Sequence, residues 1–230
     1  ASERAVSNDL EMAADILWFA LSGRSSFVDE EPSPLVRPLF GYALISGWSV
    51  ERIIESFDLL AERGMDVAAA LDMASVSDSP WLLVAAGTAS TLGKNDESIH
   101  LLKEAYTREK GPSTLANNLG FSLLEQGIER KRAESLIIEA NKMNPEGTSE
   151  LDSLGWLRYM QGKTNVRDQD GALVYIERSI LNRRMRGDDV PLEVLMHLGD
   201  ASWRAGNSTE AVSVWNQILE LRGEPGQDLR

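Results

Sequence analysis

A short pattern recurs three times along the 230 residues. A Leu-Gly pair is followed seven residues later by a second glycine: Leu119-Gly120 with Gly127, Leu154-Gly155 with Gly162, Leu198-Gly199 with Gly206. Downstream of each comes an alanine with an apolar residue four positions on: Ala133 with Ile137, Ala172 with Ile176, Ala211 with Trp215. Three positions further stand Ala140, Ser179 and Ile218. Such self-similarity leaves few folds open, because one unit of this length cannot bury its apolar face alone and must stack on its neighbours. Each unit reads as a helix, a glycine turn and a second helix packed antiparallel on the first. The first glycine allows close helix–helix approach; the second lets the chain take a positive φ at the helix C-terminus. The small residue in the second helix makes room for the crossing.

These residues resemble tetratricopeptide repeats of the bacterial type. The second unit matches with Leu119, Gly120, Ala133, Ile137, Ala140 and Pro145, the third with Leu151, Leu154, Gly155, Ala172 and Ile176. The fourth matches with Leu195, Leu198, Gly199, Ala211 and Trp215. An earlier unit is degenerate: Leu82, Ala86, Gly93, Leu102 and Ala105 fit, but Ser98 stands where alanine is usual. The resemblance implies an all-α fold, a right-handed α-α superhelix (solenoid) of antiparallel helix hairpins, about twelve helices in six hairpins. Gly120 to Gly155 is a step of 35 residues, close to the roughly 34 of that family, whereas Gly155 to Gly199 is 44. The extra residues fall in Lys163–Gly171 and Arg183–Pro191, where longer loops are tolerated and can touch ligands.

Residues 79–222 therefore form about four repeats, and 223–230 a polar tail. Residues 1–78 match the pattern less well. Helical apolar spacing is present in Leu10–Leu21, Leu35–Ile45, Ile53–Leu60 and Val67–Met73, with Gly23 and Gly47 as stops and Ser33-Pro34 and Ser49 as starts. This predicts a divergent helical region, two irregular hairpins, with a loop over Ser22–Pro34. The same region holds 14 acidic and 5 basic residues, most of the chain's net charge of -13.

That charge disfavours nucleic acid, whose phosphates it repels. The absence of cysteine removes thiolate nucleophiles, disulfides and cysteine-ligated metals. It fits a cytoplasmic or a periplasmic setting equally. The apolar run Trp81–Leu92 is far below the roughly 20 residues that span a bilayer, so it reads as a buried helix and membrane insertion is not expected. No metal or cofactor is expected. The two histidines, His100 and His197, lack any carboxylate–histidine spacing and read as packing or surface residues. Gly162-Lys163-Thr164 imitates the end of a phosphate loop, but Leu157 stands where that motif needs glycine and the preceding element reads as helix. Asp168, Asp170, Asp188 and Asp189 read as solvated loop charge, and Arg183, Arg184 and Arg186 as a basic knot in the long loop. Asn207-Ser208-Thr209 is a helix start rather than a glycosylation site. With no catalytic constellation, the chain is expected not to be an enzyme.

In the resembled family the first helix of each hairpin lines a concave groove. The corresponding positions include Asn117, Phe121 and Glu125, then Asp152, Trp156, Tyr159 and Met160, then Glu193, Met196, Asp200, Trp203 and Arg204. The candidate partner-binding set is Asn117, Phe121, Asp152, Trp156, Tyr159, Met196, Asp200 and Trp203. Aromatic rings on an open surface are efficient anchors, and the acids Glu125, Asp152, Glu193 and Asp200 favour a basic protein or peptide. The lysine-rich clamp by which some family members hold chaperone C-termini is missing: Leu83, Asn117, Asp152 and Met196 stand at the fifth position. The expected function is a non-enzymatic scaffold holding a protein segment in the groove. The alternative is a regulatory or targeting arm of a larger enzyme or complex whose catalytic part is absent from this chain. Trp215, Ile218 and Leu219 sit in the last recognised helix, where the end of a stack exposes an apolar edge unless it is capped, and the oligomeric state stays open.

Overall fold

The structure, a computed structural model, describes residues 12–21, 36, 39, 42–43, 48–63, 65, 80–91, 93–109, 111–164 and 170–222. It is all-α: residues 12–21 are helical (α1), followed by α2 (Val50–Glu62), α3 (Pro80–Thr91), α4 (Asn95–Arg108), α5 (Ser113–Glu125), α6 (Arg130–Met143), α7 (Thr148–Met160), α8 (Ala172–Arg186), α9 (Leu192–Arg204) and α10 (Ser208–Leu221). The chain divides into two compact units, Ala1–Leu115 and Ala116–Arg230, with the division inside α5. The expected loop Ser22–Pro34, the helix Val67–Met73 and the tail 223–230 lie outside the described residues. So does most of Leu35–Ile45, of which Val36, Leu39, Tyr42 and Ala43 are helical.

In the first unit, α2 begins where Ser49 suggested: the Arg52 amide donates to Ser49 Oγ at 3.2 Å, an N-cap bond. Its apolar stripe, Val50, Ile53, Phe57 and Leu60, is buried, as the helical period requires. Arg52 Nη2 donates to Asp15 Oδ1 of α1 at 2.7 Å. Arg108 at the end of α4 grips both oxygens of Asp58 in α2, at 2.7 and 2.8 Å, while its Nε bonds Glu104 at 2.9 Å. Such a fork-to-carboxylate pair holds direction as well as charge. Pro80 occupies the first helical position of α3, where its missing N–H costs nothing. The α3 residues Leu82, Ala85, Ala86 and Ala89 are buried, with Leu101, Leu102 and Ala105 of the packed partner helix α4. No described helix is long and apolar enough to cross a membrane.

The second unit contains three hairpins, α5/α6, α7/α8 and α9/α10. The repeated residues do what their spacing required. A Cβ at Gly120 would stand 3.0 Å from Ile137 Cγ1, and one at Gly155 only 2.6 Å from Ile176 Cγ1. At Gly199 it would meet the Trp215 indole. Each Leu-Gly glycine thus faces the apolar residue named in its own downstream helix. Ala133, Ala172, Ala211, Ala140 and Ser179 have no exposure at all, and Ser179 Oγ donates to the Thr148 carbonyl at 2.6 Å. The second glycines close the hairpins with φ of 66°, 77° and 84° at Gly127, Gly162 and Gly206. There an L side chain is strained. Gly162→Ala should cost about 1 kcal/mol, read as a lower urea midpoint; an unchanged midpoint would show that the turn can relax.

One expectation is corrected. Arg183, Arg184 and Arg186 are not loop residues: they form the last turn of α8, which runs to Arg186. Gly187, at φ 78°, terminates it, its amide donating to Arg184 O at 3.1 Å and that of Asp188 to Arg183 O at 3.0 Å. Cations at a helix C-terminus complement its dipole, so the cluster is a helix end. Nor do Trp215, Ile218 and Leu219 form a bare apolar edge. Ile218 is buried, Trp215 and Leu219 are part-buried, and Trp215 is spent filling the gap above Gly199.

Asn207-Ser208-Thr209 opens α10 as expected. Lys163 and Thr164 follow a helix, not a strand. Asp170 ties off the insertion between α7 and α8, accepting from Tyr175 Oη at 2.8 Å and Arg158 Nε at 3.0 Å. Partial burial works against its charge, but those two donors, with Arg158 and Lys163 as neighbouring cations, hold its carboxyl below the usual range. Asp168 lies outside the described residues.

Candidate functional site: an aromatic and acidic cluster on three first helices

The candidate groove residues lie on α5, α7 and α9, the first helices of the three hairpins in the second unit. At their centre is Trp156. Its indole stacks on Tyr159, one helical turn on, at 4.5 Å between centroids and 9° between planes. Its other face carries His197 of α9 at 4.2 Å and 17°. Its Nε1 donates to Glu125 Oε1 of α5 at 2.5 Å. Arg204 completes the stack, its guanidinium carbon 4.1 Å from the Tyr159 ring centre and its Nη1 donating to the Tyr159 carbonyl at 2.9 Å. His197, Trp156, Tyr159 and Arg204 thus form four layers drawn from two repeats. Phe121 of α5 approaches His197 at 5.9 Å, tilted by 54°.

His197 is the hub, and it is buried at 5% exposure. Its Nδ1 lies 3.1 Å from both oxygens of the buried Asp152. Burial disfavours the imidazolium. The hydrogen bond to Asp152, and the charges of Asp152, Glu193 and Glu125, outweigh it and raise the His197 pKa above its ordinary value. A cationic imidazole on an indole face gains a further cation–π attraction. Glu193 is pushed upward, first by loss of solvent and then by Asp152 and Glu125, against the opposing pull of His197. Three carboxylates, Asp152, Glu193 and Glu125, thus act on one imidazole.

Of the eight candidate residues, Met196 and Trp203 are open to solvent, at 44% and 57% exposure. Trp203 leans on Trp215 at 5.7 Å and 40°. Phe121, Trp156, Tyr159 and Asp200 are part-buried. Asn117 and Asp152 are buried, and Asp152 is engaged by His197. The stack thus joins Trp156, Tyr159 and Asp152, while Met196 and Trp203 present free surface on the same helix as His197. Sequence reasoning passed over His197 as ordinary packing. A signal was available: Asp152 precedes Gly155 by three and His197 precedes Gly199 by two, so aligning the repeats sets them at neighbouring positions of adjacent first helices. No group of three or more potential metal ligands occurs among the described residues.

No family model matches the chain. Over 99 residues it is 33% identical to a TPR repeat-containing protein of Pseudomonas aeruginosa; the match covers 43% of this chain and 15% of that protein's length. Among solved structures, it is similar to a chain of the APC/C hetero-tetramer Cut9-Hcn1, with TM-score 0.57, 15% identity, and coverage of 94% of this chain and 37% of that one. It is also similar to BtubC (BKLC) from P. vanneervenii, with TM-score 0.52, 18% identity, and coverage of 97% and 91%. At these identities the structural likenesses are likenesses of fold.

Proposed function

We propose that these tetratricopeptide-type repeats act as a protein–protein interaction scaffold, binding a basic segment of a partner across the first helices α5, α7 and α9. The reading rests mainly on Trp203 and Met196, large apolar side chains left open on α9 beside the aromatic stack. An indole more than half exposed gives up much apolar area to a partner at small entropic cost. Met160 at the end of α7 is also exposed, at 53%, and methionine adapts to varied contacts. The carboxylates of Glu125, Glu193 and Asp200 set the sign of the partner and speed its approach. Nothing in this arrangement requires the chain to catalyse a reaction.

The test uses the two open side chains, whose removal leaves the stack intact. Trp203→Ala with Met196→Ala should weaken partner capture by tenfold or more, the scale of an interface hot spot, with the helical circular dichroism unchanged. A photo-crosslinking residue at position 196 should label the captured partner. One at Met185, 77% exposed in the second helix α8, should not. Equal labelling from both positions, or capture indifferent to the double variant, would move the interface off these helices.

A further inference from the structure

A cavity of ≈ 230 Å³ opens in the second unit beside the stack, lined by Asn117, Phe121, Ser149, Asp152, Arg183 and Glu193 among others. Two of its atoms are unsatisfied. Asn117, with only 4% of its surface exposed, has a buried Oδ1 without a hydrogen-bond partner, and the buried Arg183 Nε also lacks one. An orphaned buried acceptor is costly, so a residue kept in that state at a cavity wall marks a place for a donor from outside. We propose that this cavity binds a primary ammonium group of the partner, from a lysine side chain or a free chain N-terminus, with Asn117 Oδ1, Asp152 and Glu193 as its acceptors. The proposal rests on the groove reading above and adds the chemistry by which the groove is read.

Three features select this chemistry. The acceptors come one each from α5, α7 and α9, so they suit the three separate N–H donors of an ammonium. A guanidinium fork prefers both oxygens of one carboxylate, and on Asp152 both already face His197 Nδ1. Finally, the free Arg183 Nε–H calls for an acceptor near the ammonium, and a free N-terminus brings one in its first carbonyl. Arg183 is steered there by its Nη2 bond to Ser149 Oγ at 3.4 Å.

Four small probes test this by NMR on the labelled full chain, watching the backbone amides at positions 117, 152 and 193, which every variant retains. N-acetyl-lysine methylamide supplies a side-chain ammonium and glycinamide an α-ammonium. N-acetyl-norleucine methylamide has the shape without the charge, and acetate has the opposite charge. At least one ammonium probe should give saturable shifts that norleucine and acetate do not. Glu193→Gln should weaken it about tenfold, the weight of one charged hydrogen bond. Asn117→Asp, which adds a carboxylate, should tighten it. Arg183→Met should weaken glycinamide and spare the lysine probe, and the tighter probe on the unaltered chain identifies the source, glycinamide for an N-terminus and N-acetyl-lysine methylamide for a lysine. Absence of ammonium-selective shifts, or binding of acetate that Asn117→Asp weakens, overturns the proposal. Either result leaves Trp203 and Met196 untouched, so capture sensitive to those two would keep the groove reading while this one falls.

Discussion

Gly155→Val should unfold at a clearly lower urea concentration than the parent chain, with a loss of roughly 2–3 kcal/mol. A Cβ at this position would stand 2.6 Å from Ile176 Cγ1, 3.1 Å from the Ala172 carbonyl oxygen and 3.2 Å from the Ile176 amide nitrogen. The Ile176 side chain can turn aside, but the two backbone atoms can yield only if α8 moves away from α7. That movement would open the packing around Leu154, Leu173 and Ile180, all of which are buried. Gly87 is the control. It lies in α3, is exposed, and a Cβ there would meet nothing within 4 Å. Gly87→Ala should therefore stabilise by about 0.5–1 kcal/mol, because alanine is the better helix former. Opposite signs for two helical glycines would identify close approach as the cause. A neutral Gly155→Val would mean that the hairpin is not packed as tightly as its geometry states.

Asp152→Ala should cost about 2–4 kcal/mol, between the loss of a charged hydrogen bond and that of a buried ion pair, since it leaves His197 enclosed without its partner. The milder Asp152→Asn isolates the charge through pH. His197 has a raised pKa when folded, against about 6.5 when unfolded. A raised folded value means that the native state holds the proton more tightly. This contribution is complete below the unfolded pKa and is lost as pH climbs through the folded one. Stability of the second unit should therefore fall from pH 6 towards alkaline pH. Glu193, also raised, acts in the same sense but in a lower window, starting near the ordinary carboxylate pKa of about 4.3. Asp152→Asn should flatten the upper slope and reduce the lower one only in part, because burial is the larger cause at Glu193 and Asp152 a smaller one. Urea titrations across pH, with the His197 ring followed by NMR, measure both. A His197 that titrates below its ordinary value, or an upper slope indifferent to Asp152→Asn, would contradict the pairing.

Much of the fold was legible because its determinants are local and repeat. Gly120, Gly155 and Gly199 each lie a fixed distance from the residue they pack against, so comparing units exposed the hairpin before any coordinates. Gly127, Gly162 and Gly206 likewise announced their turns, since a positive φ is a requirement on one residue. The arginines of α8 were misplaced for a physical reason too. The composition of Arg183–Pro191 resembles a loop, but basic residues are equally suited to the last turn of a helix, and Gly187 was the stop signal to read. The candidate groove was legible only as a face. Its positions follow from helical period, whereas burial depends on which side chain the next repeat sets opposite.

The amino-acid sequence by itself thus determined the all-helical class, the hairpin and the line of close contacts within each unit, because glycine and alanine at fixed spacing are demands a backbone makes on its own chain. Only the tertiary structure decided that Trp156 would be closed between Tyr159 and His197 while Trp203 stays open, and that Asp152 would be matched with an imidazole rather than left to solvent. Those outcomes depend on bringing together two residues 45 positions apart, Asp152 and His197, as one repeat stacks on the next. Stacking distance, desolvation and the balance of charge come into being only when the two helices meet.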